Sequence, residues 1–203
     1  MIKNIIFDFG DIFINLDKEA TVNSMKKFGF KSITDEMNTT NQQYEKGLIS
    51  TDEFVNFYHN LFPNASKEEL IQSWNAIILD FPEHRLNFIE SLKKENYRLF
   101  LLSNTNELHI DKVIENTKPE RYNRFKDCFE VFYLSHEIQQ RKPEKACYEY
   151  VLKENDLKAI ETLFIDDSPE NTIAASQLGI KTWNLNPGVE DVVQLFNKKN
   201  LFN

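Results

Sequence analysis

Residues 5–11 read Ile5-Ile6-Phe7-Asp8-Phe9-Gly10-Asp11, and this stretch decides the fold. Its first three residues form an unbroken apolar run, the pattern of a parallel strand buried on both faces. A carboxylate, Asp8, stands where the run stops. Ligands of open parallel sheets bind outside the carboxyl ends of the strands. Asp8 is therefore either a turn residue or one member of a site, and the ends of the other strands decide which.

Downstream of Pro82 the chain alternates helical and extended patterns. Strands are expected over 97–102, 131–134, 163–165 and 181–184. Helices are expected over 83–94 and 107–115, from the turn opened by Lys142-Pro143, from Pro169 to Gly179, and over 189–198. The charged stretch 118–126 reads as irregular.

The segment 16–80 shows no strand pattern. Asp17 is placed to cap a helix carrying Val22, Met25 and Phe28, with Gly29 as its stop. A second helix is expected over 34–46, closed by Gly47. Two capping boxes, Ser50-Thr51-Asp52-Glu53 and Ser66-Lys67-Glu68-Glu69, open two more, whose apolar faces carry Phe54, Phe57, Tyr58 and Leu61, then Leu70, Ile71 and Trp74. The expected architecture is α/β. A doubly wound parallel-sheet (Rossmann-like) core is formed by 1–15 and 81–203, and a small α-helical cap is inserted at 16–80.

The chain has 203 residues, 41% hydrophobic and 28% charged, a globular composition long enough for one core with a modest insertion. Its formal net charge of −8 argues against broad binding to nucleic-acid backbone, which needs a basic surface. Cys128 and Cys147 lack the spacing of a zinc site or redox pair. No leader pattern precedes the first strand, and no apolar run approaches the ~18 residues of a membrane span. The expectation is a cytoplasmic protein without nucleic-acid or membrane partners.

The strand ends then supply Asp8, Ser103 with Asn104, Lys142, and Asp166 with Asp167. Each could simply cap the helix that follows, but recurrence at four strand ends favours a site. Three carboxylates on one rim repel one another unless a cation sits among them. Oxygen-only ligands select a hard ion such as Mg²⁺, which completes its shell with waters and a substrate phosphate. Ser103, Asn104 and Lys142 can hold the remaining phosphate oxygens. An Asp facing such a phosphoryl group is a nucleophile candidate, acting through an aspartyl-phosphate.

These stretches resemble the four motifs of the haloacid dehalogenase superfamily. They are Asp8 in its strand, Leu101-Leu102-Ser103-Asn104-Thr105-Asn106, Arg141-Lys142-Pro143-Glu144, and Phe164-Ile165-Asp166-Asp167-Ser168-Pro169-Glu170-Asn171. Within it, the wording is most similar to bacterial sugar-phosphate phosphatases of the α-D-glucose-1-phosphate phosphatase type. The resemblance implies a phosphatase acting on a small phosphorylated metabolite. Asp8 and Lys142 would be catalytic, Ser103, Asn104 and Lys142 would bind substrate, and Asp8, the Gly10 carbonyl, Asp166 and Asp167 would hold Mg²⁺. Gly10 departs from the superfamily, most of whose phosphatases carry a second Asp there as general acid/base. The phosphatase type resembled has Gly at that position too. Asp11 is one residue too late and is expected to point elsewhere.

Two alternatives stand beside this reading: a hydrolytic dehalogenase, which also lacks the second Asp, and a catalytically silent phosphate-binding protein. The acidic pair at 166–167 argues against the first, and retention of Asp8 and Lys142 argues against the second. His109 and His136 are expected as partly exposed bystanders, and Tyr44, Phe54, Phe57 and Trp74 as packing of the helical segment.

Overall fold

The computed structural model describes residues 1–202. Among them, five parallel strands form one sheet in the order β3-β2-β1-β4-β5. These are β1 (Asn4–Phe7), β2 (Arg98–Ser103), β3 (Val131–Leu134), β4 (Thr162–Asp166) and β5 (Lys181–Asn184). β1 is central and buried throughout, as its apolar run requires. Ile5 and Phe7 point into one apolar cluster with Leu86, Ile89 and Phe125. Ile6 points into the other, with Phe100, Tyr148 and Phe164. The strand order reverses beside β1, which puts the crevice of a doubly wound sheet at the ends of β1 and β4. Phe7 is in register with both Leu101 and Ile165, so Asp8 emerges level with the ends of its two neighbours.

Between β1 and β2 run α1 (Ala20–Met25), α2 (Asp35–Glu45), α3 (Thr51–Leu61), α4 (Lys67–Asn75) and α5 (Glu83–Leu92). Thr34 caps α2, and both capping boxes form as the sequence indicates, at Ser50 and Ser66. α1 to α4 bury two small apolar clusters of their own. One is built on Met25, Phe30, Met37, Phe62 and Leu70, the other on Tyr44, Phe54 and Val55 with Leu108. The two chain crossings into this helical segment pair with each other. Asn15 N donates to Asp80 O (2.9 Å), Leu79 N to Asn15 O (3.0 Å) and Asp17 N to Ile77 O (2.9 Å). Buried Arg85 fixes this double crossing to the core, donating from Nη1 to Asn15 Oδ1 and from Nε to Asp191 Oδ2, both at 3.0 Å.

The second half comprises α6 (Glu107–Thr117), α7 (Pro119–Lys126), α8 (Ser135–Ile138), α9 (Lys145–Glu154) and α10 (Pro169–Ser176). Four expectations need correction. The stretch 118–126 is not irregular. Pro119 opens α7, and Tyr122 and Phe125, three residues apart, form a narrow buried face amid charges. Phe125 stacks on Phe9 with ring centroids 5.1 Å apart. Pro143 does not open a helix: Glu144 is still extended as the N-cap, and α9 starts at Lys145. The segment 189–198 forms a 3₁₀ turn at Val192–Asn197 rather than an α-helix. Asp17 does not cap α1 either. It lies too far upstream, and its Oδ1 accepts from Glu19 N instead (3.1 Å). No helix among the described residues is long and apolar enough to cross a membrane.

Candidate active site

Asp8 leaves the central strand with its N–H donating to Ile165 O (2.8 Å), which fixes the start of the loop that follows. The Lys142 ammonium, 1% exposed, lies 2.7 Å from Asp8 Oδ1 and 2.6 Å from Asp166 Oδ2. Residues 134 positions apart are thereby brought together because β1 and β4 are adjacent and the Lys142 turn closes over their ends. Asp167 completes the group. One oxygen from each of Asp8, Asp166 and Asp167 lies within 4.8 Å of the others.

Three carboxylates share one buried ammonium, and the electrostatics carry that imbalance. Burial pushes the Asp8 carboxyl up to about 7; Lys142 pulls it down, while Asp166 and Asp167 push it further up. Burial opposes the charge of Lys142, yet Asp166 and Asp8 outweigh it and hold the ammonium above its ordinary range. An added positive charge would relieve this cluster, and an all-oxygen donor set suits a hard divalent cation. The Gly10 carbonyl accepts no hydrogen bond among the described residues, so it is free to serve as a further oxygen ligand.

The two acidic neighbours differ. Asp166, with no exposure, has both oxygens engaged. Oδ1 accepts from Ser168 N (2.8 Å) and Asn171 Nδ2 (3.0 Å), and Oδ2 accepts from Asn171 (3.1 Å) and Lys142. The start of α10 thus builds a socket that aims Asp166 at Lys142. Asp167 has a single side-chain partner, Lys18, at 2.5 Å. It is the more open of the pair.

Ser103, at the end of β2, is 4% exposed, and its hydroxyl has no partner among the described residues. Asn104 takes a different place from the one expected. Its Nδ2 donates to Lys142 O (2.8 Å), and its Oδ1 accepts from Lys142 N (2.9 Å). The side-chain amide therefore clamps the lysine's main chain. Immediately after β3, Ser135 Oγ joins the strand ends, accepting from Thr105 N (2.9 Å) and donating to Glu45 O of α2 (2.6 Å).

Asp11 lies outside the group formed by Asp8, Asp166 and Asp167. Its φ is +55°, and its Oδ1 accepts from Leu16 N (3.1 Å). Its other oxygen nevertheless pairs with Lys18 (2.9 Å), the same ammonium that holds Asp167. Asp11 thus stands one cation away from the rim. Nothing in the local pattern of Asp17-Lys18-Glu19 marks Lys18 as a site residue, whereas Asn171 could have been found five positions after Asp166 in the fourth motif.

His109 is partly exposed on α6, as expected, and is also held in a cluster. Its ring stacks on Trp74 (centroids 5.1 Å, 14°), its Nδ1 faces Asn106 Nδ2 (3.1 Å), and its Nε2 faces Trp74 O (3.3 Å). Because the Asn106 amide donates, Nδ1 accepts and the proton resides on Nε2. Trp74 also donates to Asn106 Oδ1 (3.3 Å). This cluster ties α4 to the loop after β2. His136 stays half-buried at the seam below α2.

The sequence profile described as haloacid dehalogenase-like hydrolase matches residues 5–185. A D-ribitol-5-phosphate phosphatase of Bacteroides thetaiotaomicron is 28% identical over 94% of this chain and 95% of its own. A sesquiterpene phosphatase of Aspergillus oryzae is 26% identical over 95% of this chain and 94% of its own. Among solved structures, a HAD family enzyme of Bacteroides thetaiotaomicron in complex with magnesium and inorganic phosphate superposes with a TM-score of 0.87. It is 35% identical, with 98% of this chain and 100% of that chain covered.

Proposed function

The chain belongs to the haloacid dehalogenase-like hydrolase family, and from that premise we propose that it is a Mg²⁺-dependent phosphatase of a small phosphorylated sugar or polyol. One observation carries the reading: Lys142 bridges Asp8 and Asp166 while Asp167 lies within the same 4.8 Å group. The magnesium-bound and phosphate-bound neighbour, 35% identical, supports the choice of ion and of leaving anion. The sugar-phosphate class is supported by the ribitol-5-phosphate phosphatase.

Asp8, Asp167 and the Gly10 carbonyl would hold the ion, with Asp166 behind them. An ion held by these groups would supply positive charge to offset the phosphate oxygens. Asp8 is the nucleophile: its carboxylate attacks phosphorus to form an aspartyl-phosphate as the ester P–O bond breaks, and the departing alkoxide takes a proton from water. Lys142 holds Asp8 ionised and balances a phosphoryl oxygen, and the unpartnered Ser103 hydroxyl donates to another. Asn104 keeps Lys142 in place. Water then attacks the phosphorus of the intermediate, the Asp8–phosphorus bond breaks, and inorganic phosphate leaves with the water's oxygen while its proton passes to the phosphate or to solvent, which restores Asp8. Haloacid hydrolysis, which needs no metal, would leave the Asp166-Asp167 pair without a task.

Phosphate release from a panel of sugar and polyol phosphates, with Mg²⁺ and with EDTA, tests the reading. The expected result is turnover that EDTA abolishes and Mg²⁺ restores. Turnover indifferent to EDTA, or none on any phosphate ester, contradicts it.

A further inference from the structure

Two ion pairs of opposite polarity connect the end of α2 to the turn that carries Lys142. Glu45 accepts from Arg141 Nε (3.2 Å) and Nη2 (3.0 Å). Its neighbour Lys46 reaches Glu144 at 2.6 Å. A negative-then-positive sequence on the helix thus faces a positive-then-negative sequence on the core, and only one register satisfies both. The Arg141 and Glu45 side chains are just 20% and 25% exposed, so solvent screens this pair less than an open surface bridge.

The main chain of Lys142 runs between Arg141 and Glu144 and is held from beneath by the Asn104 amide. The same α2 end also meets the loop after β2 through Ser135, which bridges Glu45 O and Thr105. Approach at this seam is backbone to backbone. Gly47 has a φ of +64°, and a Cβ there would lie 2.1 Å from His136 O.

We propose that Arg141 and Glu45 are positioning residues, through which seating of the helical segment sets the Lys142 ammonium between Asp8 and Asp166. Seating α2 and arming the nucleophile are then one event. The effect on turnover rests on the phosphatase reading given above; the effect on seating does not.

The test is a charge-reversal cycle in the full chain, with Glu45→Lys, Arg141→Glu and the double variant. Turnover of p-nitrophenyl phosphate and binding of inorganic phosphate with Mg²⁺ are followed. Trp74 emission is read in a Trp183→Phe background, because the Trp74 ring packs on His109 at the same seam. Each single reversal should lower kcat about tenfold or more, weaken phosphate binding and shift Trp74 emission to the red. The double variant should recover all three to within about threefold of the parent. Single reversals that match the parent, or a double variant as impaired as the singles, overturn the proposal. A parent that binds phosphate without turnover would refute the phosphatase reading alone, and rescue of emission and binding would still decide the positioning role. Should a reversed chain fail to fold, Glu45→Gln and Arg141→Gln carry the same test, each expected to lower kcat at least about threefold.

Discussion

The Lys142 ammonium lies 2.6 Å from Asp166 Oδ2, and neither side chain exposes more than 1% of its surface. A carboxylate so enclosed is tolerated because Lys142, Asn171 and the Ser168 N–H satisfy its oxygens. Breaking such a pair from one side strands the other charge, at a cost of about 3–5 kcal/mol. Lys142→Met should therefore lower both unfolding stability, by about 3 kcal/mol in urea titrations, and affinity for orthovanadate, by about tenfold or more. Vanadate inhibition equal to the parent's would remove Lys142 from the phosphate site.

Asp167 and Asp166 should fail differently. Asp167 has one side-chain partner, whereas Asp166 is socketed by α10. Asp167→Asn should weaken Mg²⁺ binding by about tenfold or more with little change in melting temperature. Asp166→Asn should lower the melting temperature and weaken Mg²⁺ less. Calorimetric Mg²⁺ titration of the two variants checks the order, and the reverse order would make Asp166 the principal ligand.

Lys18 holds Asp167 at 2.5 Å and would compete with an ion that Asp167 ligates. Lys18→Met should tighten Mg²⁺ binding severalfold, as removal of a neighbouring like charge does. Unchanged or weakened binding in the same titration would show that Lys18 leaves Asp167 untouched when the ion is bound.

His109 predicts a pH dependence of stability. Burial pushes its imidazole down from 6.5 to about 4. The unfolded chain binds the extra proton between these values, so the stabilisation from neutral His109 is complete above pH 6.5 and lost as pH falls toward 4. An edge of the ring still meets solvent, so the contribution is at most about 3 kcal/mol. His109→Gln removes the titrating group. Urea midpoints at pH 7.5 and 4.5 should show a steeper acid loss in the parent than in the variant. Subtracting the two curves cancels the Asp8 contribution, which has the opposite sign because its carboxyl is raised to about 7 by burial. Parallel curves would show that His109 protonates without disturbing the seam.

Gly10 should restrict the leaving group. Without an acid there, esters with good leaving groups should outrun primary alkyl phosphates, since general acid help is worth about 10²–10⁴-fold. The ribitol-5-phosphate phosphatase makes this a sharp comparison, because its substrate is a primary alkyl ester. Gly10→Asp should narrow the gap. A Cβ at that position meets only the end of Leu16, with Cδ1 at 2.7 Å, a flexible methyl that can turn aside. Matched kcat/KM values for p-nitrophenyl phosphate and ribitol 5-phosphate in both proteins provide the check. Equal rates in the parent would place the acid elsewhere, with Asp11 behind Lys18 the first residue to examine.

What could be read from the sequence followed from periodicity and side-chain type. β1, β3 and β4 were legible as apolar runs, and α3 and α4 from their capping boxes, because both signals are local. Asp8, Ser103 and Asp166 were legible because each stands at the end of a strand, and Lys142 because it lies in the turn beyond β3. The role of Asn104 was not. An amide after a strand can face a ligand or turn back, and only the arrival of Lys142 beside it decides that it turns back. Lys18 was equally hidden, since its partner Asp167 lies 149 residues away. α7 escaped because two buried aromatics among charges make a face too narrow for a periodicity argument.

The central claim is that Asp8 is the nucleophile, and Asp8→Asn tests it most directly. Asn preserves the shape and an oxygen facing Lys142 while removing a carboxylate whose charge the buried site resists. The variant should melt at or above the parent's temperature yet lose at least about 10³-fold in kcat for phosphate release. A folded Asp8→Asn protein that retains turnover within about tenfold of the parent would contradict the account.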